Sequence, residues 1–195
     1  SSMDSTSNAN HATLTSTTWI PGRIGNALSF TGATSMANPG SRSSLHMTAS
    51  YTVEGWFKAA SLPSGATDKA LYVHAPMTVT PYEEYQVSLV GEGYGTGGQK
   101  RVRMELNNAT GKYHYLDCTM IPSTSTWYHF ATAWDGATMK CYINGTPQGS
   151  DSESGSIQSY NDQTCIGMMN TTPAGVLDGT LDEIRVSNIA RSSTW

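Results

Sequence analysis

WYHFATAWDGATMKCYINGT, residues 127–146, contains two short strand-like runs, His129–Trp134 and Met139–Ile143, each closed by a turn signal. Asp135-Gly136 opens the loop between them, and Asn144-Gly145 opens the next turn. An Asn-Gly pair between apolar runs is a strong hairpin signal, because both central residues of the tight turn need positive φ. The first run, HFATAW, carries no formal charge. A sheet with one wet face would alternate apolar and polar residues, so this strand is expected to be covered on both sides. Such cover requires a second sheet, and the expected fold is an all-β, antiparallel two-sheet sandwich.

Working outward, Tyr51–Lys58 alternates most clearly, with Tyr51, Val53, Gly55 and Phe57 on one side and Thr52, Glu54, Trp56 and Lys58 on the other. Further strands are expected around Ala27–Phe30, Lys69–His74, Glu84–Val90, Arg101–Leu106, Tyr113–Met120, Thr164–Met168 and Leu181–Val186. Gly91–Gly98 reads as a flexible hairpin connection and Gly149–Asp162 as a polar loop. No helix-length periodic segment and no tandem repeat interrupts them. Short strands at intervals of about ten residues point to a sandwich or barrel.

The totals agree. Of 195 residues, 37% are hydrophobic and only 13% charged, below the roughly 25% of an average soluble domain. Ser, Thr, Gly and Asn fill the difference, a mix that disfavours helix. One domain, 1–195, is expected. The net charge of −4 comes with no Lys/Arg cluster, which excludes a phosphate-neutralising surface and hence nucleic acid. No apolar run approaches the roughly 20 residues of a membrane span. No signal peptide is expected, and the opening SSMDSTSN reads as the start of a mature or excised piece. Cys118, Cys141 and Cys165 suggest no disulfide framework or zinc spacing. Cys141, between Met139 and Ile143, reads as a small buried thiol. One disulfide plus a free thiol is the alternative.

Five ordered blocks carry a resemblance: GRIGNALSFTG at 22–32, YTVEGWFKA at 51–59, WYHFATAWDGATMKCYINGT at 127–146, CIGMMN at 165–170 and LDGTLDEIRVSNIARSSTW at 177–195. They resemble laminin-G-like jelly-roll domains of the concanavalin A-like lectin/glucanase superfamily. That resemblance implies a jelly-roll sandwich and leaves function open among lectins, adhesion domains and enzymes. Family members often begin with a strand that is absent or truncated before Asp4–Asn10 here. The usual Asp of the family's FDG turn is Thr31.

An acidic site is expected to join the chain's two ends. If Ile184 and Val186 point into the core, period two sends Asp182 the same way. A carboxylate so placed needs a cation, an Arg or several donors. Asp4, Asn8 and Asn10 supply hard oxygens from the opening loop, a set suited to calcium. Similar bacterial domains often hold a structural calcium between the first loop and the last strand. The alternative gives Asp182 hydrogen bonds from a turn, or a partner in Arg185 or Arg23.

Sugars stack on aromatic faces beside amides and carboxylates. Tyr82, Tyr94 and Tyr160 fall in expected loops near Glu83, Glu84, Asn161 and Asp162, and are the candidate ligand contacts. Trp56, Trp127 and Trp134 are assigned to the core. Glu83-Glu84 and Asp182-Glu183 are adjacent pairs, whose members face opposite sides of a strand, so neither makes a glycosidase dyad. The expected function is a non-catalytic carbohydrate-binding module of a secreted or cell-surface protein, with polysaccharide or glycan as partner, calcium as structural support and no membrane insertion. A protein-interaction or adhesion module without sugar affinity is the alternative, with a glycoside hydrolase third.

Overall fold

The computed structural model describes residues 2–75, 84–158, 163–169 and 175–192. Two seven-stranded antiparallel sheets face each other in a jelly-roll sandwich. The first runs in the order β1 (Thr13–Thr15), β4 (Met36–Gly40), β13 (Gln163–Ile166), β6 (Asp68–Ala75), β7 (Tyr85–Val90), β8 (Arg101–Asn107), β9 (Tyr113–Asp117). The second runs β12 (Thr146–Ser152), β11 (Thr138–Ile143), β10 (Tyr128–Trp134), β5 (Tyr51–Ala59), β14 (Asp178–Ser187), β3 (Asn26–Thr31), β2 (Thr18–Pro21). Among the described residues the only helical turn is a 3-10 segment at Ser43–Leu45, and no helix is long and apolar enough to cross a membrane.

The β10–β11 hairpin forms as its residues dictate. Phe130, Thr132 and Trp134 are fully buried, and Phe130 pairs with Ile143 across the hairpin. Asn144 (φ 51°) and Gly145 (φ 74°) make the tight turn into β12. The Asn144 side chain accepts a bond from the His129 amide at 2.9 Å, pinning the turn to the strand before it. One apolar cluster joins the sheets, with Phe57, Phe130 and Trp134 from the second meeting Tyr85, Leu89 and Met104 from the first. Period two in β7 and β8 leaves Gln86, Ser88, Arg103 and Glu105 on the outer face.

Three expectations are corrected. Cys118 and Cys141 form a disulfide, so Cys141 is not the isolated thiol of the first reading. The free cysteine is Cys165, whose thiol burial pushes up to about 11. Residues 146–152, partly inside the expected polar loop, form the edge strand β12, which is mostly exposed and so shows no apolar period. Of the three tryptophans assigned to the core, only Trp134 lies there. Trp56 is half-buried under the Arg23 guanidinium, 5.0 Å from the ring centre, and Trp127 lies under Lys58.

Candidate functional site

On the outer face of the first sheet, register builds a grid. Ser88 pairs with Arg103 and Arg103 with Asp117; one row along, Gln86 pairs with Glu105 and Glu105 with Tyr115. Cross-strand partners share a face, so the backbone alone gathers these side chains. Arg103 holds Asp117 in a two-pronged bond, Nε to Oδ1 at 2.7 Å and Nη2 to Oδ2 at 3.0 Å. The same Nη2 donates to the Tyr94 carbonyl at 2.7 Å, and the guanidinium lies 4.0 Å from the Tyr115 ring centre. Asp117 also accepts the Thr96 amide at 2.7 Å and its hydroxyl at 2.6 Å. Arg103 and Asp117 therefore tie the 91–98 loop, with Tyr94 on it, to the sheet.

The charges follow from these contacts. Burial alone would raise the Asp117 carboxyl, but bonds from Arg103 and Thr96 outweigh it and hold the group below its ordinary value. Burial raises Glu105, against lowering by Tyr113, Arg103 and the Gln86 side-chain amide that donates to it. Asp68 is raised by burial as well. Gln86 Oε1 and Ser88 Oγ are buried with no hydrogen-bond partner. At the rim of this layer Tyr94, Tyr113 and Tyr115 are 49%, 45% and 45% exposed, and the last two rings are centred 6.0 Å apart. Solvent-facing rings thus border a buried layer of polar groups, some with unused bonding capacity.

Of the tyrosines expected to touch ligand, Tyr94 stands at this rim, while Tyr82 and Tyr160 lie outside the described residues, as do Glu83, Asn161 and Asp162. Tyr113 and Tyr115 were missed. Their signal was the period-two spacing of Tyr-His-Tyr in a strand, which puts two rings on one face.

The four residues expected around calcium are held in two separate settings. Asp4 accepts the amides of Thr6 and Asn10, both at 2.8 Å, and the Thr6 hydroxyl at 2.9 Å. Asn10 accepts the Ser44 hydroxyl at 2.9 Å, and the Asn8 amide bonds Thr6 Oγ1 at 3.3 Å. Asp182 instead accepts the Ile24 amide at 2.8 Å, in the turn between β2 and β3. That is the turn-bonded alternative. The period-two argument for an inward Asp182 fails at a bulge. β14 has two residues, Glu183 and Ile184, between Asp182 and Arg185 while β5 has only Gly55 between Trp56 and Glu54, and Glu183 sits at φ 51°. The extra residue lets both Leu181 and Ile184 reach the core and leaves Asp182 opposite Trp56 on the outer face. Asp182 is nonetheless buried, because the 22–24 turn closes over it; a Cβ on Gly22 would lie 2.6 Å from its Oδ2. The oxygens of Asp4 and Asn10 accept N–H and O–H donors of the chain itself, and Asp182 takes its hydrogen bond from the 22–24 turn rather than from that loop.

The outer face of the second sheet carries a cleft lined by Glu54, His129, Ala131, Tyr142 and Arg191. His129 lies 3.8 Å from Glu54, and burial lowers its pKa. Residues 188–192 cross this side, with Thr52 Oγ1 donating to the Ile189 carbonyl at 2.8 Å and accepting the Arg191 amide at 2.9 Å. The nearby Trp56 ring is occupied by Arg23 and His129. Trp19 on the edge strand β2 is 51% exposed, whereas Tyr94, Tyr113 and Tyr115 gather beside buried polar groups at the first sheet, which is therefore the stronger candidate.

The fold has known counterparts. Domain 4 of AbnA, a GH43 extracellular arabinanase from Geobacillus stearothermophilus, in complex with arabinotriose, is 22% identical, with 92% of this chain and 79% of that one covered and a TM-score of 0.68. The binding domain of Paraclostridial Mosquitocidal Protein 1 is 14% identical at a TM-score of 0.74, with 98% of this chain and 47% of that one covered, so this chain spans about half of it. The Ruminococcus gnavus IT-sialidase CBM40 bound to α2,3 sialyllactose is 18% identical, covering 75% and 80%, at a TM-score of 0.58. At these identities the likeness is one of fold. No curated protein matches the chain. Residues 30–195 match the Laminin_G_3 family model, so the chain belongs to the concanavalin A-like lectin/glucanases superfamily.

Proposed function

We propose that the chain is a non-catalytic glycan-binding module of a secreted or cell-surface protein, with its sugar contacts at the Tyr94, Tyr113 and Tyr115 rim. The observation that carries this reading is the set of half-exposed rings beside buried Gln86 and Ser88, whose oxygens have no partner. A sugar presents C–H faces to half-exposed rings and hydroxyls to polar groups at their border, so one ligand class matches a rim of rings set over a polar layer. Similar folds bound to arabinotriose and sialyllactose support sugar as that class. Tyr82 and Tyr160 remain proposed contacts. Glu105 and Asp117 both pair with Arg103, at 3.7 and 2.7 Å, which favours binding over a hydrolase needing two unencumbered carboxyls. The Cys118–Cys141 disulfide supports an oxidising compartment.

Calorimetric titration with arabino-oligosaccharides and sialyllactose, followed by a glycan array, tests the reading. Saturable binding is expected, with Tyr115→Ala weakening it by about tenfold or more at unchanged Tm. Silence across the array overturns the proposal in favour of the adhesion module. Calcium belongs to the proposal as a structural ion at Asp4, Asn8, Asn10 and Asp182, and an unchanged Tm in the calcium chelator EGTA would remove it.

A further inference from the structure

At the rim of the sandwich, His46, His74 and Glu84 bring three ligand atoms within 4.8 Å of one another. Glu84 and His74 are fully buried at their side chains, and His46 is 14% exposed, giving the group one side open to solvent. His46 follows the 3-10 turn on the connection that leaves the first sheet for the second. His74 lies on β6, and the Glu84 amide bonds the His74 carbonyl at 2.9 Å just before β7.

A network of hydroxyls backs His74. Tyr85 donates to the Leu45 carbonyl at 2.6 Å, and its oxygen lies 3.1 Å from the Tyr72 hydroxyl. Thr164 Oγ1 lies 2.9 Å from His74 Nδ1, so the ring is held from that nitrogen. His74 Nε2 faces Glu84 Oε2 at 3.2 Å, and His46 Nδ1 comes within 4.0 Å of Glu84 Oε1. Two imidazoles therefore flank one buried carboxylate.

We propose that His46, His74 and Glu84 form a site for a zinc-class divalent ion. Two imidazoles and one carboxylate are a borderline N/O donor set that suits Zn²⁺, whereas calcium takes six to eight oxygens. Tetrahedral zinc spaces its ligand atoms about 3.3 Å apart. His74 Nε2 and Glu84 Oε2 already stand at 3.2 Å, and the partly exposed His46 ring is the group that must close. Thr164 plays the orienting part that fixes a ligating histidine from its far nitrogen. The ion would clasp the crossing connection to β6 and β7, and the open fourth position faces the His46 side.

Metal-stripped protein titrated with Zn²⁺, and separately with Co²⁺, tests this without any sugar. One equivalent of Zn²⁺ is expected to raise Tm by about 4 °C or more. Co²⁺ is expected to develop the visible absorption of a tetrahedral N/O site. His46→Gln should lose both responses while keeping the metal-free Tm, and Glu84→Gln, which preserves side-chain size, is the second variant. Folded wild-type protein that shows neither response overturns the proposal. So does Co²⁺ absorption undiminished in either variant, or a Zn²⁺ shift in Tm retained by His46→Gln.

Discussion

Asp117 and Glu105 show how one guanidinium divides two carboxyls by their remaining partners. Asp117 receives both prongs of Arg103 and two bonds from Thr96 and is held low, while Glu105 is dominated by burial and rises. The consequences for stability have opposite signs. The Asp117 contribution is complete above the unfolded-state value of about 3.9 and is lost as the pH falls through the lower folded value. Protonation of Glu105 instead favours the folded state. Denaturant unfolding between about pH 2 and pH 5 should therefore show an acid loss of stability that Asp117→Asn flattens. An identical acid limb in that variant would remove Asp117 as its source. None of this was readable from Asp117 or Arg103 alone, which lie in separate strands and meet only through the β8–β9 register.

Among the elements, the hairpin that opens at β10 and the closing strand β14 make an instructive pair. The first was legible because Asn144-Gly145 states its own backbone requirement. A Cβ at Gly145 would meet nothing within 4 Å, so its φ of 74° is what makes glycine necessary there. Gly145→Ala should accordingly cost about 1 kcal/mol, read as a lower urea midpoint at unchanged slope. A cost near zero would mean that the turn relaxes. β14 misled because its bulge falls at Glu183, a residue with no turn preference, opposite Gly55, where the missing side chain makes room for Ile184. One added residue reverses every facing inferred across it. β12 was read as loop for another reason: an edge strand wet on both faces has no apolar period to display.

For the whole molecule, the disulfide adds to what the shared core provides. Cys118 follows β9 in the first sheet and Cys141 lies on β11 in the second, so the bond links the two layers across a sequence separation of 23. Closing such a loop restricts the unfolded chain, and removing it should cost about 3 kcal/mol. Cys118→Ala/Cys141→Ala is expected to melt roughly 6–10 °C lower than the oxidised protein. Equal melting would show that the core alone sets the stability. The sequence by itself determined the sandwich, most of its strands and the tight turn, because alternation and positive φ are local properties written residue by residue. It also named Tyr94 and the oxygen-rich opening loop. Tertiary structure alone decided that Asp182 answers to the Ile24 amide, that Tyr113 and Tyr115 border the Arg103 layer, and that His46, His74 and Glu84 converge. Those meetings depend on strand register, a bulge and a loop crossing between sheets, and no local pattern encodes the partner at the far end of a contact.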